Sequence, residues 1–270
     1  MPERTIAVDW SGRAKGERRA IWLGEARGDE LVRLEDGRSR DDIATHLIAL
    51  AEDDPSMVVG FDFSFSLPAW FLDERGYSSV DELWASAEQH GDEWLAECAP
   101  PFWGRPGTRR PNLPEHFRAT ELALGAVGGI RPKSTFQIGG AGSVGSGSIR
   151  GFPVLARLRA AGFSVWPFDD AVPPVAIEIW PRLLTGAVVK RDAVARADHL
   201  AAHFPSMSDR MRVRAIGSED AFDAAVSAIV MARHRGAFGA LVRVDDRLTQ
   251  LEGAVWSPPT DGPNVRPARR

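Results

Sequence analysis

The order of strand-like and helical segments in the first third of the chain constrains its fold more than any other feature. Three β-rich runs, TIAVDWSG, RRAIWLGEA and ELVRLED, are separated by short glycine-containing turns, a pattern that predicts an antiparallel meander. SRDDIATHLIALAEDD then has helical spacing of its apolar residues, and SMVVGFDFSFS returns to strand character. Because a helix links the meander to this fourth strand, we expect a parallel crossover onto the same sheet.

The remaining segments extend the sheet and cover it with helices. SVWPFD and AIEIWPR predict two further strands, and FPVLARLRAAG predicts a helix that follows the glycine-serine stretch GGAGSVGSGSIRG. A helix is expected over about residues 192–203. The run SEDAFDAAVSAIVMARHRG predicts the last strong helix, with Ser218 as its N-cap and Gly236 as its stop.

Residues 67 to about 134 differ from their surroundings in composition and in the predicted secondary structure. They read as short helices followed by a loop rich in proline and arginine, and we interpret them as an insertion. The chain has 270 residues, of which 44% are hydrophobic, enough for one large core. We therefore predict a single domain over residues 1–260, with a flexible tail at 261–270.

Composition narrows the classes of function. The formal net charge of -4 argues against a protein that binds duplexes through a basic face. No apolar stretch approaches the roughly 20 residues of a membrane helix, and the start lacks the layout of a signal peptide, so a cytoplasmic protein without membrane contacts is expected. Cys98 is the only cysteine, which excludes an internal disulfide and a cysteine-built zinc site.

Acidic residues stand where the local pattern predicts apolar or small side chains. Asp9 ends the first strand, Asp62 follows the fourth, Glu178 lies inside AIEIWPR, and Asp220 and Asp223 lie on the last helix. Taken alone, each aspartate has an ordinary explanation in a turn, a backbone hydrogen bond or the helix dipole. Taken together, they indicate a common site.

A cation would explain all of these acids at once. The ends of adjacent strands converge in a twisted sheet, and the last helix would bring in Asp223. Clustered carboxylates repel one another unless a cation neutralises them. With oxygen ligands and no Cys or His set, Mg²⁺ or Mn²⁺ is favoured over Zn²⁺. Glu178 would then be a ligand; its alternative is a buried ion pair with an arginine such as Arg182.

Four motifs, in order, resemble a known family. VDWSG, GFDFSFSLP, EIWPR and SEDAFDAAVSA resemble the domain of unknown function 429 family, predicted nucleases assigned to the ribonuclease H-like superfamily. The resemblance extends from Asp9 to about His234. It implies an α/β fold with a ribonuclease H-like mixed sheet, in which three antiparallel strands are extended by parallel strands and flanked by helices.

The resemblance also implies roles for the acids. In the wider superfamily, acids on the first strand, the fourth strand and the last helix hold two metal ions, and resolvase-like members carry a D-x-x-D pair on that helix. Asp9, Asp62 and the pair Asp220 and Asp223 fall on those positions, and Glu178 matches the family's E-x-x-P motif. Asp9, Asp62, Glu178 and Asp223 are thus the expected catalytic residues, and Asp220 joins them as a metal ligand.

Such a site is suited to cleaving phosphodiesters. Two metal ions about 4 Å apart can activate a water and stabilise the leaving oxygen, so we predict a metal-dependent nuclease. Residues 99–150 contain seven basic and only two acidic side chains. Candidate substrate contacts are Arg109, Arg110 and Lys133.

Aromatic residues in the same segment suggest the form of the substrate. Phe102, Trp103 and Phe117 alternate with the basic residues and suit the stacking of unpaired bases. The expected partner is single-stranded or structured nucleic acid, or a nucleotide. The alternative is a helical cap whose aromatic side chains pack inward.

Two other classes of function remain open on this sequence. GGAGSVGSGSIRG could cradle phosphates, and VDWSG resembles the first phosphate loop of the actin and sugar-kinase group, which would give a nucleotide-dependent phosphotransferase on the same core. A flexible loop explains the glycines equally well, and no second Asp-Gly-Gly loop is visible. A non-catalytic binding module would have no metal affinity.

Overall fold

A seven-stranded mixed sheet forms the centre of the computed structural model, which describes residues 2–140 and 142–259. The strand order is β3-β2-β1-β4-β6, and β5 and β7 both pair with the outer edge of β6. The strands are β1 (Arg4–Asp9), β2 (Trp22–Arg27), β3 (Glu30–Glu35), β4 (Met57–Phe61), β5 (Ser164–Val165), β6 (Val175–Ile179) and β7 (Val255–Trp256).

Helices cover both faces of this sheet. Those found within the described residues are α1 (Arg40–Asp53), α2 (Ala69–Glu74), α3 (Val80–Glu97), α4 (Ala119–Ala123), α5 (Gly145–Ala160), α6 (Pro181–Thr185), α7 (Ala193–His203), α8 (Asp209–Gly217), α9 (Glu219–Arg233), α10 (Arg235–Phe238) and α11 (Arg247–Glu252).

The predicted mixed α/β sheet is confirmed. Strands β1, β2 and β3 pair in antiparallel fashion, and β4 pairs with β1 in parallel after the crossover through α1. A capping box starts α1: the Ser39 hydroxyl accepts from the Asp42 N–H at 3.2 Å, and the Asp42 carboxylate accepts from the Ser39 N–H at 3.0 Å. Strand β6 then adds in parallel to β4.

Each face of the sheet has its own apolar layer. On one face, α1, α3 and α5 bury side chains such as Leu47, Trp84 and Phe152 against Val8 and Phe61. On the other face, α9 packs against the opposite side chains of β1, β4 and β6, among them Ala7, Val58, Ile177 and Ile179.

Two strand glycines allow α9 to approach the sheet closely. A Cβ atom at Gly24 would lie 2.4 Å from the Ala224 carbonyl oxygen, and one at Gly60 would lie 2.8 Å from the Met231 sulfur. Both distances are too short for a real contact. At Gly24 the obstacle is the backbone of α9, so a larger residue there would displace the helix, whereas at Gly60 it is the side chain of Met231. Gly24 thereby allows Asp223, the neighbour of Ala224, to lie close to the sheet.

Three local predictions are wrong in their boundaries. The strand expected from SVWPFD is confined to Ser164–Val165. The helix expected from FPVLARLRAAG begins already at Gly145, because packing overrides the low helix propensity of its glycines. Gly236 does not end the last helix: α9 ends at Arg233, and Gly236 lies within α10.

The segment interpreted as an insertion contributes to the covering layer of the sheet. Residues 67–134 contain α2, α3 and α4, and α3 packs along α5 with Leu83 and Trp84 fully buried. The expected tail at 261–270 lies outside the described residues. Of the helices in the described part of the chain, none combines the length and apolarity needed to cross a bilayer.

Candidate functional site

Parallel strands bring two of the predicted acids to one edge of the sheet. Val8 of β1 is in register with Phe61 of β4. The next residues are Asp9 and Asp62, and the Asp62 N–H donates to the Val8 carbonyl oxygen at 3.1 Å. The two aspartates therefore leave neighbouring strands at the same level.

The alternation of side chains separates Glu178 from Asp9. Glu178 is in register with Phe61, and its neighbour Ala176 belongs to the layer beneath α3 and α5. Asp9 alternates with Val8 and shares its face with Ala7, which packs in the α9 layer. Because successive strand residues point to opposite faces, Glu178 and Asp9 extend from opposite sides of the sheet.

Helix α9 brings the remaining aspartates to the Asp9 side. Its N-cap is Ser218, as predicted, whose hydroxyl accepts from the Ala221 N–H at 3.0 Å. Asp220 lies in the first turn and Asp223 follows one turn later. Since α9 lies close to the sheet, both carboxylates come within electrostatic range of Asp9.

Burial and mutual repulsion disfavour the ionised forms of these aspartates. Burial raises the pKa of Asp9 well above its usual range, and Asp62, Asp223 and Asp220 raise it further. For Asp62, burial followed by the repulsion of Asp223 raises the pKa to about 7. Burial also raises the pKa of Asp220 and of Asp223. We call these four residues the aspartate cluster.

Asp9 lies in a largely buried position. Its residue is 8% exposed, and neither the contacts nor the electrostatic interactions of the described residues include a hydrogen bond to its carboxylate. Buried polar groups are nearly always hydrogen-bonded; the cluster oxygen that is fully buried without a hydrogen-bonding partner among the described residues is Oδ1 of Asp223.

Lys190 is a cation that the sequence did not predict here. Its ammonium lies 2.6 Å from Asp223 Oδ2, with the lysine side chain only 7% exposed. It lowers the pKa of Asp223, and acts in the same direction on Asp9 and Asp62. The other oxygen of Asp223, Oδ1, is buried without a hydrogen-bonding partner among the described residues.

Glu178 is accounted for by a buried ion pair, although its partner is Arg118 instead of Arg182. Glu178 Oε2 accepts from Arg118 Nη1 and from the Phe65 N–H, each at 2.9 Å, and Oε1 accepts from Arg118 Nη2. Arg118 has no exposed surface and also pairs with Glu121. Both Glu178 oxygens therefore have donors, and we do not assign it to the metal ligands.

The donor set fits a hard divalent cation in chemistry but is not a finished coordination shell. All its donors are carboxylate oxygens, the kind that Mg²⁺ and Mn²⁺ prefer, and Asp223 Oδ1 is buried without a hydrogen-bonding partner among the described residues. Within residues 2–140 and 142–259, however, no three His, Cys, Asp or Glu side chains converge tightly enough to constitute a preformed metal-binding group. The aspartates are thus close enough to repel one another, but they do not lie at the spacing of ligands around one metal ion.

A cavity of about 320 Å³ opens beside the cluster. Asp62, Asp223 and Glu178 line one part of it, together with Lys190. Its charged lining otherwise comes from Glu121, Arg131, Lys133, Arg182 and Glu219. The volume lies at the lower end of the range of small-ligand pockets, about 300–1,000 Å³, and the mixed charge suits a phosphate held above the acids.

The three predicted substrate contacts do not all lie at the cavity. Lys133 lines the cavity, whereas Arg109 and Arg110 do not. The Arg110 guanidinium lies over the rings of Trp103 and Phe117, 5.7 and 5.9 Å from their centroids. The arginine thus occupies the neighbourhood of two aromatic rings that were expected to stack bases.

Phe102 follows the inward-packing alternative. It is 3% exposed and contacts the rings of Phe71, Trp94 and Phe136. Its ring belongs to the core beneath α3, so it is not a surface for an unpaired base.

The glycine-serine stretch packs tightly against the VDWSG segment. A Cβ atom at Gly12 would lie 2.4 Å from the Gly147 nitrogen, and one at Gly151 would lie 2.3 Å from the Phe63 ring. Trp10 Nε1 donates to the Gly147 carbonyl oxygen at 3.0 Å. Close packing against α5 therefore accounts for Gly12 and Gly151.

Comparison with known proteins identifies no relative. No protein-family model, no curated protein and no solved structure matches the chain.

The raised pKa values predict a pH-dependent stability. Between its ordinary pKa of 3.8 and its folded pKa of about 7, Asp62 binds more protons in the folded state than in the unfolded state. Raising the pH through this interval therefore favours unfolding. In EDTA, we expect the melting temperature of the wild type to fall as the pH rises over this range. The melting temperature of the Asp62→Asn variant should fall less steeply. Parallel pH profiles of the two proteins would contradict this assignment.

Proposed function

We propose that the protein is a metal-dependent phosphodiester hydrolase, a nuclease with a ribonuclease H-like fold. The observation that carries the proposal is the aspartate cluster beside a cavity, in which Oδ1 of Asp223 is buried without a hydrogen-bonding partner among the described residues. The meander extended by parallel strands and closed by α9 supports the ribonuclease H-like assignment. Membership in the domain of unknown function 429 family, which the four motifs resemble, is part of the same proposal.

The aspartate cluster would hold Mg²⁺ or Mn²⁺. Asp9, Asp62, Asp220 and Asp223 are the proposed ligands, and Glu178 instead anchors the cavity wall through Arg118. When bound, such an ion activates a water as nucleophile and stabilises the leaving oxygen. The positive charge would also remove the repulsion that raises the pKa values of the cluster.

The side chains around the cavity would bind the substrate. Arg131 and Lys133 lie on the exposed side of the cavity and offset the charge of a phosphate near the acids. In hydrolysis, the water oxygen bonds to phosphorus while the bond from phosphorus to the leaving oxygen breaks. A carboxylate of the cluster would accept the proton that the water loses, and this proton would then pass to the leaving oxygen.

The dimensions and charges of the cavity favour single strands or structured ends. A space of about 320 Å³ is of the size for a small ligand such as one nucleotide unit. The net charge of -4 also gives no broad basic surface for a duplex. The proposed substrate is therefore single-stranded or structured nucleic acid.

Cleavage of oligonucleotides tests this function directly. We expect the purified protein to cleave labelled single strands in the presence of Mn²⁺ or Mg²⁺. EDTA should abolish this cleavage, and a matched duplex should be cleaved more slowly. ATP provides the comparison with phosphotransfer. Thermal stabilisation by ATP without strand cleavage would reject the nuclease in favour of the phosphotransferase, and absence of any metal-dependent reaction or metal binding would favour a non-catalytic module.

A further inference from the structure

We propose that the Lys190 ammonium takes the place of a second metal ion, so that the site binds a single divalent cation. This inference rests on the proposed metal-dependent hydrolysis and assigns an electrostatic catalytic role to Lys190. It concerns the number of ions in the site and the group that stabilises the phosphate charge.

The first support is the position of the ammonium among the acids. Nζ lies 2.6 Å from Asp223 Oδ2, and its charge acts on Asp9 and Asp62 as well. A lysine loses much rotamer entropy when its side chain is ordered, and it is rarely buried unless paired. One buried ammonium thus contacts Asp223 and lies within electrostatic range of Asp9 and Asp62.

The second support is that Asp223 has one oxygen left for a metal. In a two-metal site, ions about 4 Å apart each need their own ligand oxygens. Oδ2 of Asp223 is taken by Lys190, while Oδ1 is buried without a hydrogen-bonding partner among the described residues. Asp223 can therefore give its free oxygen to one ion, and the ammonium already neutralises the other.

The third support is that the backbone around Lys190 is held in place by two arginines. Arg196, which is 5% exposed, donates from Nη1 to the Lys190 carbonyl oxygen. Arg182 Nη1 donates to the carbonyl oxygens of Gly186 and Val188, at 3.2 and 2.6 Å. The lysine is thus presented by a loop that is fixed on both sides, as preorganised electrostatic stabilisation requires.

Lys190 also reaches the cavity in which the phosphate would lie. It lines this cavity together with Asp62 and Asp223. A fixed ammonium there stabilises the negative charge that develops on the phosphate oxygens during attack. In this role Lys190 keeps its proton throughout, and the protons of the reaction move as described for the hydrolysis itself.

Mn²⁺ titration followed by electron paramagnetic resonance tests the proposal without relying on turnover. We expect one Mn²⁺ per wild-type chain. Lys190→Met removes the charge at similar length and should tighten Mn²⁺ binding by about tenfold or more, or admit a second ion, because a repelling cation is gone. Cleavage by this variant should fall by about tenfold or more. Lys190→Arg, which keeps the charge, should retain one Mn²⁺.

The outcomes separate this inference from the nuclease assignment. Two Mn²⁺ ions in a wild-type protein that cleaves nucleic acid would overturn the role of Lys190 and leave the nuclease intact. Unchanged Mn²⁺ affinity and stoichiometry in folded Lys190→Met would overturn it as well. If the Lys190→Met variant does not fold, the number of Mn²⁺ ions bound per wild-type chain still tests the proposal. Failure of the wild-type chain to bind Mn²⁺ or to cleave would reject the nuclease itself.

Discussion

Replacing Arg118 by methionine should lower the free energy of unfolding by about 3–5 kcal/mol, the cost typical of removing one partner of a buried ion pair. Burial alone would lower the pKa of Arg118, but Glu121 and Glu178 raise it above its usual value, so the guanidinium is charged. Its loss would leave two buried carboxylates without their cation. Urea unfolding followed by tryptophan fluorescence would measure the change.

An exposed ion pair provides the matched control. Arg247 lies 2.6 Å from Asp73, with 75% and 46% of the two side chains exposed. Arg247→Met should cost less than about 1 kcal/mol, because solvent screens such pairs. The double variant Arg118→Met with Glu178→Gln should recover part of the loss. An Arg118→Met protein as stable as the Arg247→Met protein would show that the buried pair contributes little.

Replacing Asp9 by asparagine should reduce metal-dependent cleavage by about a hundredfold or more, since even groups that only orient a metal ligand contribute about 10- to 100-fold. The change keeps the size of the side chain and removes one negative charge from the cluster. Without metal, the folded protein should be as stable as the wild type or more stable, because burial and repulsion both oppose the Asp9 charge. The stabilisation produced by Mn²⁺ should be lost.

Asp198→Asn is the control for this change. Asp198 lies on the exposed side of α7, so its substitution should affect neither cleavage nor stabilisation by Mn²⁺. Cleavage kinetics and thermal melts with and without Mn²⁺ distinguish the two variants. Wild-type turnover by a folded Asp9→Asn protein would remove Asp9 from the proposed catalytic residues.

Local patterns predicted most of the sheet, although β7 was not predicted and β5 is shorter than expected. Alternating residues and short turns predicted the meander, and Ser218 predicted the start of α9, because these signals lie within a few residues of the structure they specify. The start of α5 was missed for the opposite reason. Its glycines have low helix propensity, and only contacts with distant segments, such as Phe63, explain them.

The site was predictable only in part, since its chemistry depends on long-range pairs. The aspartates could be noticed individually as acids in apolar surroundings. The partner of Glu178 could not be, because Arg118 is 60 residues away in sequence and several other arginines were equally available. Lys190 lies in a loop without periodicity; the one local signal is its place directly after the apolar pair Val188 and Val189.

The contacts of Glu252 determine when the cavity wall can form during protein synthesis. Its carboxylate accepts from the Ala69 and Ala119 N–H groups at 2.7 and 2.6 Å, and its carbonyl oxygen accepts from Arg118 at 2.8 Å. A nascent chain that has reached the end of α9 already contains every aspartate of the cluster, yet it lacks the residue that joins α2 to α4. Such a chain would expose its acids beside an incomplete wall, and competence for substrate would follow the emergence of α11 from the ribosome.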